Sequence, residues 1–232
     1  MAEQYFGHSA LPDWGPYGIC RQDRELIGPI RGRTFLEIGA GSGHSLRYIL
    51  QRGAKRAYGL DFSSTQIVLA STLNRRGLDR NRLQLFHQPM EQRLNIPRVD
   101  TVFGIFSLGW STNLPGTLRL IHSYLRPGGR FVFSWEHGMF QHVEFERRLI
   151  VQSSYFSEVV VKNKWKDQYA IHIQFPTTAS WFELLQSAGF TIDRYLEPES
   201  HIFDRRSQDS WRHFSKVKAL NVPMAVVFQC HR

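Results

Sequence analysis

The segment Phe35-Leu36-Glu37-Ile38-Gly39-Ala40-Gly41-Ser42-Gly43 constrains the fold of this chain more than any other. A short apolar run enters glycines at alternate positions. After a buried strand, such a run makes a tight turn and lets a ligand approach the backbone at the N-terminus of the following helix. The pattern alone leaves three readings: a nucleotide-phosphate loop, an adenosyl-cofactor loop, and a plain strand-to-helix turn. The dinucleotide form G-x-G-x-x-G would need its third glycine one residue later than Gly43, and the Gly-Lys-Ser/Thr of a P-loop is absent.

Asp61 follows Gly39 by 22 residues, at the end of the apolar run 56–60. In a doubly wound sheet a carboxylate there faces the crevice beside the glycine turn and can accept two hydrogen bonds from a ribose diol. Taken alone it serves nearly as well as an N-cap for the helix that begins near Ser63. Together with Glu37 and the glycines, the ligand reading is favoured. No cluster of phosphate-binding cations accompanies the turn, so a cofactor carrying ribose but no phosphate fits better.

Hydrophobic period gives the rest of the architecture. Strands are expected at 34–38, 56–60, 83–87, 99–107, 130–135, 190–196 and 224–229. Helices are expected at 43–51, from Ser63 (N-cap, with Gln66 in capping-box spacing and Ile67, Leu69, Ala70 and Leu73 as the inner face), from Pro115, and at 177–188. Pro127-Gly128-Gly129 stops one helix and Gly189 another. Strand alternating with helix predicts an α/β, doubly wound, mostly parallel sheet of seven strands. Two stretches break the alternation. Residues 1–33 mix Tyr5, Phe6, Trp14 and Tyr17 with Gly and Pro. Residues 136–176 intervene where direct joins are short, with a helix expected over 140–155 and two strands over 159–175. Both read as lids. The chain is thus expected to be one domain, with a lid at 1–33, a cofactor-binding core at 34–135, a substrate-side insert at 136–176 and a C-terminal part of the sheet at 177–232.

Composition narrows the function classes. With 232 residues, 42% of them hydrophobic, a sizeable core is available. No apolar run approaches bilayer length and residues 1–21 lack a signal-peptide pattern, so a soluble cytoplasmic protein with no membrane partner is expected. Two cysteines, Cys20 and Cys230, are too few for a disulfide scaffold or a cysteine-based zinc site, and no histidine spacing suggests a metal. The net charge of +9 is uneven: residues 1–130 carry 17 Lys+Arg against 9 Asp+Glu, residues 131–232 carry 12 against 11. The cations are scattered singly or in pairs, which favours a solvated basic face over a nucleic-acid track.

Three motifs in this order resemble those of class I S-adenosylmethionine-dependent methyltransferases, in the small-molecule branch labelled type 11. Glu37–Gly43 resembles the first, Gly59-Leu60-Asp61-Phe62-Ser63 the second, and the run 125–134 (Leu125-Arg126-Pro127-Gly128-Gly129 onward) the late strand motif. The likeness covers roughly 34–135, the helix and strand over 179–196, and the final strand. It implies the Rossmann-like methyltransferase fold and S-adenosyl-L-methionine as cofactor. It also implies that the backbone of Gly39, Ala40 and Gly41 contacts the methionyl part, with Glu37 also at the cofactor, that Asp61 binds the ribose hydroxyls, and that Phe62 packs against the adenine. The Met90 amide would meet the adenine ring, with Phe106 and Ser107 beside the methyl. Many relatives have an acidic residue just before the Met90 position; here it is Pro89, and Glu91 or Gln88 is expected to replace it.

Methyl transfer is an in-line displacement, so a base is needed only where the nucleophile must lose a proton. His137, directly after the strand 130–135, is the expected base or substrate contact. Tyr17 is expected to face the cofactor, and Trp110, Trp14, His8 and His142 to line the acceptor pocket. The expected reaction is methyl transfer to an oxygen, nitrogen or carbon of a small, partly apolar metabolite. An RNA methyltransferase, motivated by the basic half, and a non-catalytic binder that keeps the fold are the alternatives. The sequence leaves the oligomeric state open.

Overall fold

A computed structural model of the chain describes residues 10–15, 19–20, 23–145, 147–157, 159–165, 169–199 and 216–232. The elements, in chain order, are β1 (Thr34–Ile38), α1 (His44–Gln51), β2 (Arg56–Asp61), α2 (Ser64–Leu73), α3 (Arg75–Asp79), β3 (Leu83–His87), β4 (Val99–Ile105), a single 3-10 turn (Leu108–Trp110), α4 (Leu114–Tyr124) and β5 (Leu125–Glu136). Then come α5 (Gly138–His142), β6 (Val143–Phe145), β7 (Leu149–Val151), β8 (Val159–Trp165), β9 (Tyr169–Phe175), α6 (Thr178–Ser187), β10 (Thr191–Leu196), α7 (Lys216–Asn221) and β11 (Ala225–His231).

Seven strands form one sheet in the order β10-β11-β5-β4-β1-β2-β3. β1 pairs in parallel with β2 and β4, β2 with β3, and β4 with β5; β11 runs antiparallel to both β5 and β10. The order reverses between β1 and β4, which opens a crevice at their carboxyl ends. The central strands are buried on both faces and so read as near-continuous apolar runs, as in Val99–Ile105. One face carries a core around Phe131, Phe133, Trp181 and Phe228, the other a core around Trp14, Phe35, Phe103 and Phe140. Among the described residues no helix is long and apolar enough to cross a membrane.

Local chemistry sets the helix starts. The Ser63 hydroxyl accepts from the Gln66 N–H (3.4 Å), the Asn113 side chain from Gly116 (3.1 Å), and the Thr177 hydroxyl from Ser180 (3.1 Å). Two expectations fail. α2 does not bury Ile67, Leu69, Ala70 and Leu73 as an inner face: Ala70 alone is fully buried, while Val68 and Leu69 are exposed, because this helix covers β2 and the edge strand β3 at the rim of the sheet. The stretch 140–155 is not one helix. After the short α5, Val143–Phe145 and Leu149–Val151 pair as a small hairpin, since β-branched and aromatic residues favour extended backbone. β8 and β9 are the two strands expected over 159–175 and pair as a hairpin, with β8 continuing through Lys162–Trp165.

Candidate active site

The glycine turn sits at the switch point. Gly39 has φ +69° and Gly41 φ +51°, a region open to glycine at little cost. The two glycines do different work. A Cβ on Gly39 would lie 2.4 Å from the Ser107 Cβ, so Gly39 lets β1 close against the end of β4; a Cβ on Gly41 would meet nothing within 4 Å, so Gly41 borders open space. Ala40 N–H donates to the Leu60 carbonyl (2.8 Å), which fixes the turn over β2.

Asp61 closes the turn from the other side. Its Oδ2 accepts from Gly41 N–H (2.8 Å) and its Oδ1 from Ser63 N–H (2.9 Å). The two readings of Asp61 therefore merge: the carboxylate braces the start of α2 and the glycine loop, and its remaining lone pairs stay available to a diol. Burial raises its pKa, against the opposing pull of those two N–H groups and of His87. Glu37, 3% exposed, is held well above the usual carboxylate range, first by burial; the Ser45 hydroxyl opposes the rise and the Asp61 charge adds to it. Its Oε2 has no hydrogen-bond partner. Phe62, next to Asp61, is 66% exposed.

At the end of β4, Phe106 is held at φ +50°, a strained conformation for a bulky residue. Two bonds hold it there: its N–H donates to the Ser134 carbonyl (3.1 Å), and the neighbouring Ser107 hydroxyl donates to the Ile38 carbonyl (2.7 Å). Its ring lies 5.9 Å from that of Trp135. The Trp135 indole N–H donates to the Gln174 carbonyl (3.0 Å) and the Gln174 amide to the Ser111 carbonyl (2.6 Å), so β9 of the insert docks on the turn that carries Trp110. Trp110 itself is 36% exposed.

Several expected site residues have other duties. His137 is buried, and both ring nitrogens are engaged: Nδ1 accepts from Met139 N–H (3.0 Å), as the N-cap of α5, which places its proton on Nε2 towards Glu197 Oε1 (3.0 Å). No lone pair is left for a general base, and that expectation is corrected. Trp14 is 1% exposed and packs edge-on to Phe103, inside the core and not on a pocket wall. His142 is 2% exposed, with Nδ1 on the Ser153 hydroxyl (2.7 Å), so it too is a packing residue. Glu91 Oε1 accepts from the Thr112 N–H (2.6 Å) and from the Ser111 (3.0 Å) and Thr112 (3.1 Å) hydroxyls; these bonds outweigh burial and lower its pKa. It staples the turn bearing Met90 to the end of β4. The Gln88 amide N–H donates to the Gln92 carbonyl (3.2 Å), leaving its oxygen as the acceptor at this turn. His8 and Tyr17 lie outside the described residues. Glu197, tied to both His137 and Tyr195, was missed by the sequence reading. The signal was its place directly after β10, a strand that ends on the same edge as β5.

The arrangement of loop, carboxylates and strand order agrees with the comparisons with known proteins. The profile of a family described as a methyltransferase domain matches residues 16–195. The chain belongs to the methyltransferase-domain family. That membership and the strand order make it a methyltransferase of the Rossmann-like fold. An uncharacterized protein of Haemophilus influenzae is 28% identical over 185 residues, 75% of this chain and 73% of that one. The tRNA U34 carboxymethyltransferase of the same organism is 24% identical over 193 residues, 82% of this chain; the match spans about half (55%) of that enzyme. A solved S-adenosylmethionine-dependent methyltransferase from Mesorhizobium loti superposes with TM-score 0.74 at 21% identity, over 92% of this chain and 97% of that one.

Proposed function

We propose that the methyl acceptor is a small, partly apolar metabolite, methylated at oxygen, nitrogen or carbon. We infer that the methyl donor is S-adenosylmethionine, which the residues at the switch point suit. The space beside Gly41 would admit its methionyl part, and the unpartnered Glu37 Oε2 would take its ammonium, a contact that favours the charged carboxylate and offsets the burial. Asp61 would accept from the ribose diol, the exposed Phe62 ring would cover the adenine, and Met90 with the Gln88 oxygen would border it. When bound, the cofactor supplies an electrophilic methyl on a sulfonium.

The chain's own work is then orientation and exclusion of water. Gly39–Gly41 and Asp61 fix the donor, Phe106 and Ser107 hold the end of β4 beside the reacting methyl, and the rings of Phe106, Trp110 and Trp135 offer faces to the positive charge. The residues 1–33 and the insert 136–176 are assigned as lids over the core 34–135, with 177–232 completing the sheet. The docking of Gln174 on Ser111 supports this for the insert.

One observation carries the substrate class: charge is polarised along the strands. Arg31 and Arg33 precede β1, Lys55 and Arg56 open β2, Arg82 precedes β3, and Arg130 lies opposite His231 at the amino end of the ladder. Asp61, Glu91 and Glu136 lie at the carboxyl ends. An RNA substrate calls for cations around the cofactor mouth; among the described residues, the arginines and the lysine that flank these strands lie on the opposite edge, where Asp100 pairs with Arg33 and Arg126, while Lys218 stands beside Glu136 at the carboxyl ends. The RNA reading keeps one support, the tRNA-directed relatives. Incubation with methyl-labelled S-adenosylmethionine and a cell extract split into RNA and low-molecular-mass pools tests the choice. Label is expected in the small-molecule pool; label in the RNA would overturn the substrate class and leave the fold and cofactor untouched.

A further inference from the structure

The edge opposite the cofactor loop carries a second concave feature. A cleft of about 430 Å³ opens between the segment 24–29, the amino-end side of β5 and β10 and the carboxyl end of β11, with Arg24, Arg130, Arg194 and Gln229 on its walls. Arg130 pairs with His231 across the β5–β11 ladder and Arg194 with Gln229 across β10–β11. From Arg130 to Glu136 the strand rises about 20 Å, so the cleft is well separated from the methyl-transfer site.

Its cations are pre-positioned. Arg130 Nη1 donates to the Glu25 and Leu26 carbonyls (3.2 Å to the latter), and its guanidinium lies along Gly28, where an added Cβ would be 3.2 Å from Nε. Arg194 Nη2 is held by Asp23 Oδ2 (2.7 Å). Each fork keeps N–H donors beyond those bonds, and Arg24 stands exposed at the rim. The carboxylates facing the group are Asp23, spent on Arg194, and Glu25 on the wall, so three guanidiniums outnumber them. Gln229 is nine-tenths buried on the inner wall, and its Oε1 has no partner. A half-turn of its amide would present that oxygen to a ligand hydroxyl.

We propose that this cleft is a binding site, distinct from the methyl-transfer site, for a small phosphorylated metabolite. Two guanidiniums on different strands suit the several terminal oxygens of a phosphate monoester better than one carboxylate. The volume exceeds what a phosphate needs and leaves room for a hydroxylated body against Gln229.

Isothermal titration of the full chain with ribose 5-phosphate, at low salt and with S-adenosylhomocysteine saturating the donor site, tests the proposal. Saturable one-to-one binding is expected, weakened at least about tenfold by Arg24→Ala and by Gln229→Leu while affinity for S-adenosylhomocysteine is unchanged. Arg24 is exposed, so its variant folds; Arg194→Lys, which keeps the charge beside Asp23 but loses the fork, should also bind more weakly. Absence of saturation at millimolar ligand would overturn the proposal. So would binding that the variants leave intact, displacement of S-adenosylhomocysteine, or an RNA oligonucleotide that occupies this face where ribose 5-phosphate does not.

Discussion

Replacing Gly41 by Ala separates a folding role from a binding role. The residue sits at φ +51°, so a methyl group there costs about 1–2 kcal/mol of backbone strain. For a chain of this size that is a fall of roughly 2–8 °C in Tm. The added Cβ meets no protein atom, so no further loss of stability follows. It does project into the space assigned to the cofactor, and forcing a methyl into a filled site costs about 1–3 kcal/mol, or roughly 5- to 150-fold in affinity. Gly39→Ala is the control: the same strain is joined by an overlap 2.4 Å from the Ser107 Cβ, worth about 1–3 kcal/mol more, so Tm should fall by roughly 4–20 °C. Thermal unfolding of both variants, with and without S-adenosylhomocysteine, reads the difference. Wild type should gain about 2.7 kcal/mol at a hundredfold excess of ligand over Kd, and Gly41→Ala at the same ligand concentration should gain only about 0.3–1.8 kcal/mol while staying folded. A Gly41→Ala chain that binds as tightly as wild type would refute the assignment of this space.

Other variants probe the neighbouring groups. Asp61→Ala should cost about 1.5–3 kcal/mol of cofactor affinity, from lost charge-assisted hydrogen bonds; unchanged affinity by calorimetry would remove the ribose contact. Glu37 has a folded pKa above its unfolded one, so the free protein loses stability as pH rises past the ordinary carboxylate range. Glu37→Gln should therefore raise Tm at pH 7 without ligand, flatten the Tm profile between pH 5 and 7, and weaken cofactor binding; a steeper profile would contradict the burial argument. His137→Ala should lower Tm by roughly 2–10 °C through the lost Met139 and Glu197 bonds. It should leave the shape of the pH–rate profile unchanged, and loss of one limb at wild-type stability would restore His137 as a base.

The fold was legible because the central strands are buried on both faces and the glycine turn marks where the first of them ends. Gly39 and Gly41 could be placed from sequence, yet their division of labour could not, since only the packing shows Ser107 under one and open space by the other. His137 failed for a related reason. A histidine after a strand looks the same in sequence whether its nitrogens face a substrate or, as here, a helix N-terminus and Glu197, a residue 60 positions away. Glu91 and Trp14 were likewise claimed by partners distant in the chain, Thr112 and Phe103. The charge pattern was visible as a numerical excess, but its sorting onto one edge depends on which strand ends are neighbours, which the topology alone supplies.

The central claim is that the turn after β1 and the carboxylate after β2 grip an adenosine-bearing sulfonium. Crystals of the chain grown with S-adenosylhomocysteine test it most directly. The account predicts density over Gly39–Gly41, with the ribose hydroxyls on Asp61, the ammonium within hydrogen-bond reach of Glu37 and the adenine against Phe62. An empty loop with the ligand elsewhere, or a pyrophosphate seated on the glycines, would contradict it.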